Sequence, residues 1–189
     1  FINSTFLSSN GYIKNFSGFI ESNNNETFID LDSKNVKLSY KLALRKNLSF
    51  DSIKGKIKIT NYDNLAIDFF NLKFFNKEIS INSTGFVNKE LNSIKLISNI
   101  ESLDMRYITD YIPSSFMTKE TSMYFKNAIK KGYTKNGNIY INGNLLNYPF
   151  YDNNNGISYA IFPITKFDID YKKGWIPFKK VSGLAYFNK

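Results

Sequence analysis

Apolar and polar residues alternate with a period of two along most of this chain. The clearest stretch sets Val36, Leu38, Tyr40, Leu42 and Leu44 between Lys37, Ser39, Lys41, Ala43 and Arg45. Successive strand side chains point to opposite faces, so the pattern predicts a half-buried antiparallel strand with one apolar and one polar side. The same alternation returns at Ile57 and Ile59, at Leu65, Ile67 and Phe69, at Ile139 and Ile141, and at Phe167, Ile169 and Tyr171. Turn residues separate these runs: Asn23-Asn24-Asn25, Asn61-Tyr62-Asp63-Asn64, Asn136-Gly137, and Asp152 through Gly156. The pattern predicts a mainly β, antiparallel chain.

One segment has helical spacing instead. Met117, Thr121, Tyr124, Phe125, Ala128 and Ile129 form a stripe that Thr118 can cap, and Gly132 after Lys130-Lys131 suits the C′ position. The expectation is one amphipathic helix over about 118–131, docked on the sheet. A short helical turn is expected over about 104–111, closed by Pro113.

A weak repeat accompanies the strands. Ile13-x-x-Phe16-x-Gly18, Phe50-x-x-Ile53-x-Gly55 and Phe178-x-x-Val181-x-Gly183 share one form in a chain with only 10 Gly. A recurring strand pattern suggests an array that adds units along an axis.

Composition narrows the chemistry. The 189 residues include no Cys and no His, which removes disulfides, thiol nucleophiles, His-based triads and imidazole metal sites. Aromatic residues reach 17%, with 18 Phe and 13 Tyr, so apolar material is plentiful for a core or a greasy surface. The formal charge is +9, a balance open to nucleic acid, an anionic membrane or acidic ligands. Lys, Asn, Ile, Phe and Tyr are inflated together, as an AT-rich genome yields, and the basic residues are spread evenly along the chain. The charge therefore reads as composition. No apolar run approaches the roughly 20 residues of a spanning helix, and Phe1 is not an initiator, so the chain reads as an excised piece with any anchor outside it.

Candidate catalytic or metal-binding groups fare poorly. Asp168 and Asp170 share one side of a strand, as do Asp30 and Asp32, but each pair reads as a solvated face. Asp152-Asn153-Asn154-Asn155-Gly156 resembles a calcium loop only faintly: its Gly comes one place early and Pro163 stands where Glu is needed. No phosphate-cradling loop or nucleophile elbow is present, so neither an enzyme nor a cofactor is expected. Single-stranded nucleic-acid binding needs aromatics beside lysines, whereas alternation puts them on opposite faces.

The C-terminal part carries a longer set of landmarks. Tyr111-Ile112-Pro113 leads through Phe125, Ala128 and Gly132 to Asn136-Gly137-Asn138-Ile139 and Gly143-Asn144-Leu145. Tyr148-Pro149-Phe150, Gly156, Asp170-Tyr171, Gly174-Trp175-Ile176-Pro177 and Val181-Ser182-Gly183 follow. In this order and spacing the chain resembles the YhdP-like proteins of the AsmA superfamily, which share the architecture of bridge-like lipid-transfer proteins. It departs from them where Ile176 separates Trp175 from Pro177 and where Ile157 follows Gly156.

The resemblance implies an extended, strongly curved antiparallel sheet in the periplasm, anchored at the inner membrane. Its apolar groove would conduct phospholipid acyl chains between inner and outer membrane. The residues expected to line it are Val36, Leu38, Tyr40, Leu42, Ile57, Ile59, Ile67, Phe69, Ile139, Ile141, Phe167 and Ile169. Tyr111, Pro113, Gly132, Gly143, Phe150 and Trp175 are expected to be structural landmarks. The expected organisation is one segment of a larger repeating β-groove protein, strand-rich over 1–103 and carrying the helix and hairpin signature over 104–189. The competing expectation is a scaffolding β-domain that aids outer-membrane assembly, its apolar face filled as a core and free of lipid.

Overall fold

The computed structural model describes residues 1–60, 65–102, 104–114, 117–148, 150 and 155–188. The turn expected at 61–64, most of the one at 152–156, and Pro149 lie outside the described residues.

The strands are β1 (Ser4–Ser8), β2 (Gly11–Phe16), β3 (Gly18–Ser22), β4 (Glu26–Tyr40), β5 (Leu48–Thr60), β6 (Ala66–Phe75), β7 (Ile79–Asn88), β8 (Ser93–Ser102), β9 (Ile129–Asn144), β10 (Gly156–Ile169) and β11 (Phe178–Asn188). They form one 11-stranded antiparallel sheet in the order β1-β2-β4-β5-β6-β7-β8-β9-β10-β11, with β3 also paired to β4. The sheet is a meander: apart from β2 and β3, which share the long β4, each strand pairs with its neighbour in sequence. It does not close, since β1 and β11 lie at opposite ends of the strand order.

The one long excursion is the crossover between β8 and β9. It contains a 3-10 turn (Met105–Asp110) and helix α1 (Lys119–Ala128). Asp104 caps the turn by accepting from the Arg106 N–H, and Thr118 caps α1 by accepting from the Thr121 N–H. The sheet runs on across this excursion, because β8 and β9 pair from Ser93–Asn144 to Ser102–Thr134.

Two boundaries differ from the sequence pattern. Helix α1 stops at Ala128, and Ile129 already belongs to β9, opposite Ile169. The β-branched Ile129 and the carbonyl of Ala128, which accepts from the Asp170 N–H at 2.9 Å, draw the chain into the sheet. Gly132 is therefore a strand residue rather than a helix cap; a Cβ there would stand 2.6 Å from the Phe167 ring. Strand β4 ends at Tyr40, where the N–H groups of Ala43 and Leu44 both donate to the Tyr40 carbonyl. That turn takes Leu42 off the strand and leaves it exposed.

Two of the three copies of the repeat are bulge signatures; Phe50-x-x-Ile53 in β5 holds no left-handed residue. In β2 and β11, Asn15 (φ 59°) and Lys180 (φ 54°) occupy the left-handed region, and the extra residue restores the next apolar side chain to its original face. Asn35, Asn71, Asn136 and Lys166 do the same in β4, β6, β9 and β10. Among the described residues, six of the nine non-glycine residues at positive φ are Asn, whose short amide tolerates that conformation. The glycines that end the repeat face large side chains across the ladder: Gly18 and Gly55 both oppose Leu31, and Gly183 opposes Ile164.

Candidate functional site

Register places the apolar residues of nearly every strand on one face. One cross-strand row runs Ile59–Ile67–Val87–Ile94, and the next runs Ile29–Ile57–Phe69–Gly85–Leu96–Ile141. Paired residues in a ladder share a face, so these rows make a continuous apolar strip across β4 to β9.

The face is covered, among the described residues, mainly toward its ends. Among the described residues, the side chains from outside the strands that pack on its main cluster are Phe1, Leu44, Met105, Ile108, Tyr111 and Phe125. At the crossover end Leu44, Met105, Ile108, Tyr111 and Phe125 form one cluster with the buried Val36, Leu48, Phe50, Ile53, Ile79 and Ile100, while Phe1 sits farther along, at Gly18 opposite Leu31. Tyr148 and Phe150 cover Ile94 and Ile141 at the other end. Between these caps, Ile57, Ile59, Ile67, Phe69, Val87 and Leu96 are half-buried, and among the described residues Ile59, Ile67 and Phe69 pack against neither buried cluster. On the outer face, the similarly flanked Phe28, Phe70 and Ile97 are exposed. The sheet therefore curves toward the apolar strip, so that side chains on the concave side shield one another.

The outer face carries charge pairs beside those exposed aromatics, with the Lys58 ammonium 5.5 Å from the Phe28 ring centre. Lys54, Lys56 and Lys58 on β5 meet Asp32, Asp30 and Glu26 on β4 at 3.0, 3.6 and 2.7 Å. Asp168 accepts from the Lys180 N–H at 2.6 Å, and Asp170 lies 3.5 Å from Lys130. Both carboxylate pairs singled out in the sequence thus serve the sheet's own pairing.

Two clefts lie away from the strip. One of about 470 Å³ opens between the β4–β5 hairpin and α1 and is lined by Lys41, Arg45, Lys46, Lys119 and Lys126, with Asp110 at its base. The other, of about 460 Å³, is lined by Arg106, Lys130, Lys131 and Lys166. The first also has Leu44, Met117 and Met123 in its lining and the second Asp104, but cations line both, whereas the strip is apolar throughout and is the better candidate site for acyl chains.

A family model described as YhdP protein matches residues 8–189. The chain belongs to the YhdP family. That family is a bacterial envelope family of the lipid-transport type. No curated protein and no solved structure matches the chain. Among the described residues, no helix is long and apolar enough to cross a membrane.

The residues expected to line a YhdP-type groove fall into three places. Ile57, Ile59, Ile67, Phe69 and Ile139 lie on the open or partly open strip. Val36, Leu38, Phe167 and Ile169 lie on the same face toward the crossover end, where Val36 and Phe167 are buried, and Ile141 is buried near Phe150. Tyr40, at the end of β4, is exposed, and Leu42 stands off the sheet in the following turn. The sequence pattern missed Ile29, Val87 and Leu96. Asn35 interrupts the strand of Ile29, Ser83 and Gly85 dilute that of Val87, and Ile97-Ser98 breaks the alternation after Leu96, so the pattern is too short to register.

The YhdP-type landmarks divide as well. The Tyr111 hydroxyl donates to Glu78 at 2.7 Å and accepts from Asn76 at 2.8 Å, fastening the crossover to the β6–β7 turn. Burial pushes its pKa well above the ordinary tyrosine value, with the Asn76 hydrogen bond acting against it and the bond to Glu78 adding to it. Phe150 is 1% exposed, whereas Trp175 is 61% exposed.

Proposed function

We propose that this chain is one segment of a larger repeating β-groove protein, which conducts phospholipids between the inner and outer membranes of a bacterial envelope. The single observation that carries the reading is the half-buried strip from Ile57 to Leu96, of which Ile59, Ile67 and Phe69 join neither buried cluster of the described residues. Apolar strand faces are ordinarily buried under a second layer; among the described residues, the middle of this one is not. An acyl chain laid along the strip removes both its own surface and the strip's from water, at about 0.8 kcal/mol per methylene. No polar contact is required, so chains pass without a step that holds them. Membership of a lipid-transport-type envelope family supports the same reading, with the periplasm as the compartment and the inner-membrane anchor supplied by the parent protein.

The test uses adjacent residues on opposite faces. Purified wild type, Phe69→Asp and Phe70→Asp are compared by native mass spectrometry and lipid extraction, with circular dichroism as the folding check. Phospholipid retained by wild type and Phe70→Asp but lost by Phe69→Asp supports the groove. A folded wild-type protein with no bound lipid favours instead a scaffolding β-domain in outer-membrane assembly. Should Phe69→Asp fail to fold, the milder Ile67→Ser makes the same comparison.

A further inference from the structure

The connection from β10 to β11 projects from the sheet, and every residue from Asp170 to Lys180 is exposed. It does not carry the polar composition of a solvated loop. Trp175 is 61% exposed, Ile176 89% and Phe178 56%, and they fall within four consecutive residues with Pro177. Scattered exposed apolar residues are ordinary, whereas a contiguous set of this size marks a partner.

The loop is held in shape. Gly174 takes φ 83°, and the Trp175 N–H donates to the Lys172 carbonyl at 3.1 Å. The Trp175 ring lies 5.9 Å from that of Tyr171, which lies 6.4 Å from that of Tyr124 on α1. Tyr124 also donates its hydroxyl to the Tyr171 carbonyl at 3.0 Å. The apolar tip is thus presented on an aromatic stem.

Its charge identifies the partner. Lys172, Lys173, Lys179 and Lys180 flank the tip, and the loop's only acid, Asp170, lies beside Lys130. Lysines around Trp, Tyr and Phe match a water–lipid boundary, where aromatic rings sit at headgroup depth and cations meet anionic headgroups. We infer that the β10–β11 tip is a docking surface for an anionic lipid bilayer, with Trp175, Ile176 and Phe178 inserting between headgroups and the flanking lysines holding the phosphates. This contact is independent of acyl-chain binding on the strip.

Trp175 is the only tryptophan in the chain, so its fluorescence reports on the tip alone. With phosphatidylglycerol-containing vesicles, its emission is expected to shift to the blue and to become shielded from acrylamide. Pure phosphatidylcholine vesicles should produce little change, and added salt should reverse the effect. Lys173→Ser/Lys179→Ser, which leaves the Lys172 ammonium 5.5 Å over the Trp175 ring in place, should weaken binding more than tenfold at about fivefold per lysine. Ile176→Ser/Phe178→Ser should weaken it independently of salt. Phe69→Asp should leave it intact, which separates this contact from the groove. Sedimentation with vesicles while Trp175 emission stays constant would overturn the proposal, as would absence of binding, or binding indifferent to lipid charge and to both double variants. A blue shift that grows with protein concentration in the absence of lipid would overturn it in favour of self-association.

Discussion

The ring of Phe150 lies over Gly156, the residue that pairs with Gly143 across β9 and β10. A Cβ on Gly156 would stand 2.6 Å from the ring and 2.8 Å from the Asn142 carbonyl oxygen, and its φ of 154° is one that side chains rarely adopt. Phe150 itself sits on Ile94 and Ile141, so this stack seals one end of the apolar face. Gly156→Ala is expected to cost about 1–3 kcal/mol through strain and overpacking. Phe150→Ala is expected to cost at least about 3 kcal/mol. Because the ring is part of the first penalty, the double variant should be less destabilised than the sum, as measured by denaturant unfolding.

At the opposite end, the raised pKa of Tyr111 gives a pH dependence of definite sign. The folded state holds the phenolic proton more tightly than the unfolded chain does. The group's contribution is therefore complete below the unfolded value of about 10 and is lost as the pH rises beyond it. Tyr111→Phe should be destabilised relative to wild type by roughly 1 kcal/mol at neutral pH, through the lost bonds to Glu78 and Asn76. That gap should narrow above about pH 10 and not below it. Chemical unfolding of both proteins from neutral to alkaline pH measures the difference, and subtraction removes the background from lysines and other tyrosines.

Asp110 ties three segments together. Its side chain is 8% exposed, with Lys46 of the β4–β5 hairpin at 2.7 Å and Lys126 of α1 at 3.4 Å. Lys46→Ala leaves a buried carboxylate with only the more distant cation. Both lysines are partly exposed, so the loss should be below that of a fully buried pair, about 1–3 kcal/mol. Asp110→Asn removes the charge instead, and Lys46→Ala made in that background should cost much less. Hydrogen exchange should show α1 amides opening faster in Lys46→Ala, because the hairpin no longer holds the helix through Asp110.

Much of this architecture was legible from the residues. Period-two alternation gave β5, β6, β9 and β10 and their apolar face, and Asp104 and Thr118 marked the starts of the 3-10 turn and of α1. The end of α1 was not legible, because Ala128-Ile129 continues the helical stripe and only pairing with Ile169 makes Ile129 a strand residue. Leu42 shows the converse failure, since alternation continues past Tyr40 while the backbone turns. The basic residues read as evenly spread over the whole chain, yet Lys172, Lys173, Lys179 and Lys180 stand within nine residues around one apolar tip, a local cluster that the overall balance conceals. Asn, taken as compositional drift, supplies most of the bulges. Apolar residues three apart across an Asn, as in Ile13-Lys14-Asn15-Phe16, are the trace those bulges leave.

Asn71 allows the bulge reading to be tested. It takes φ 46°, donates its N–H to Thr84 Oγ1 at 3.1 Å, and with Leu72 lies opposite the single residue Gly55. The extra residue returns Leu72 and Phe74 to the face already occupied by Ile67 and Phe69. Gly adopts this conformation without strain, so Asn71→Gly should be neutral to within about 0.5 kcal/mol. Asn71→Val puts a β-branched side chain in the left-handed region and should cost about 1–2 kcal/mol, although the site is exposed. Deleting Asn71 leaves Phe69, Leu72 and Phe74 alternating on one face in regular register with β5 and β7, so the protein should still fold with the kink in β6 removed. Thermal unfolding ranks the three variants. A deletion that abolished folding, or a valine as stable as wild type, would show that the extra residue does not set which way Leu72 and Phe74 face.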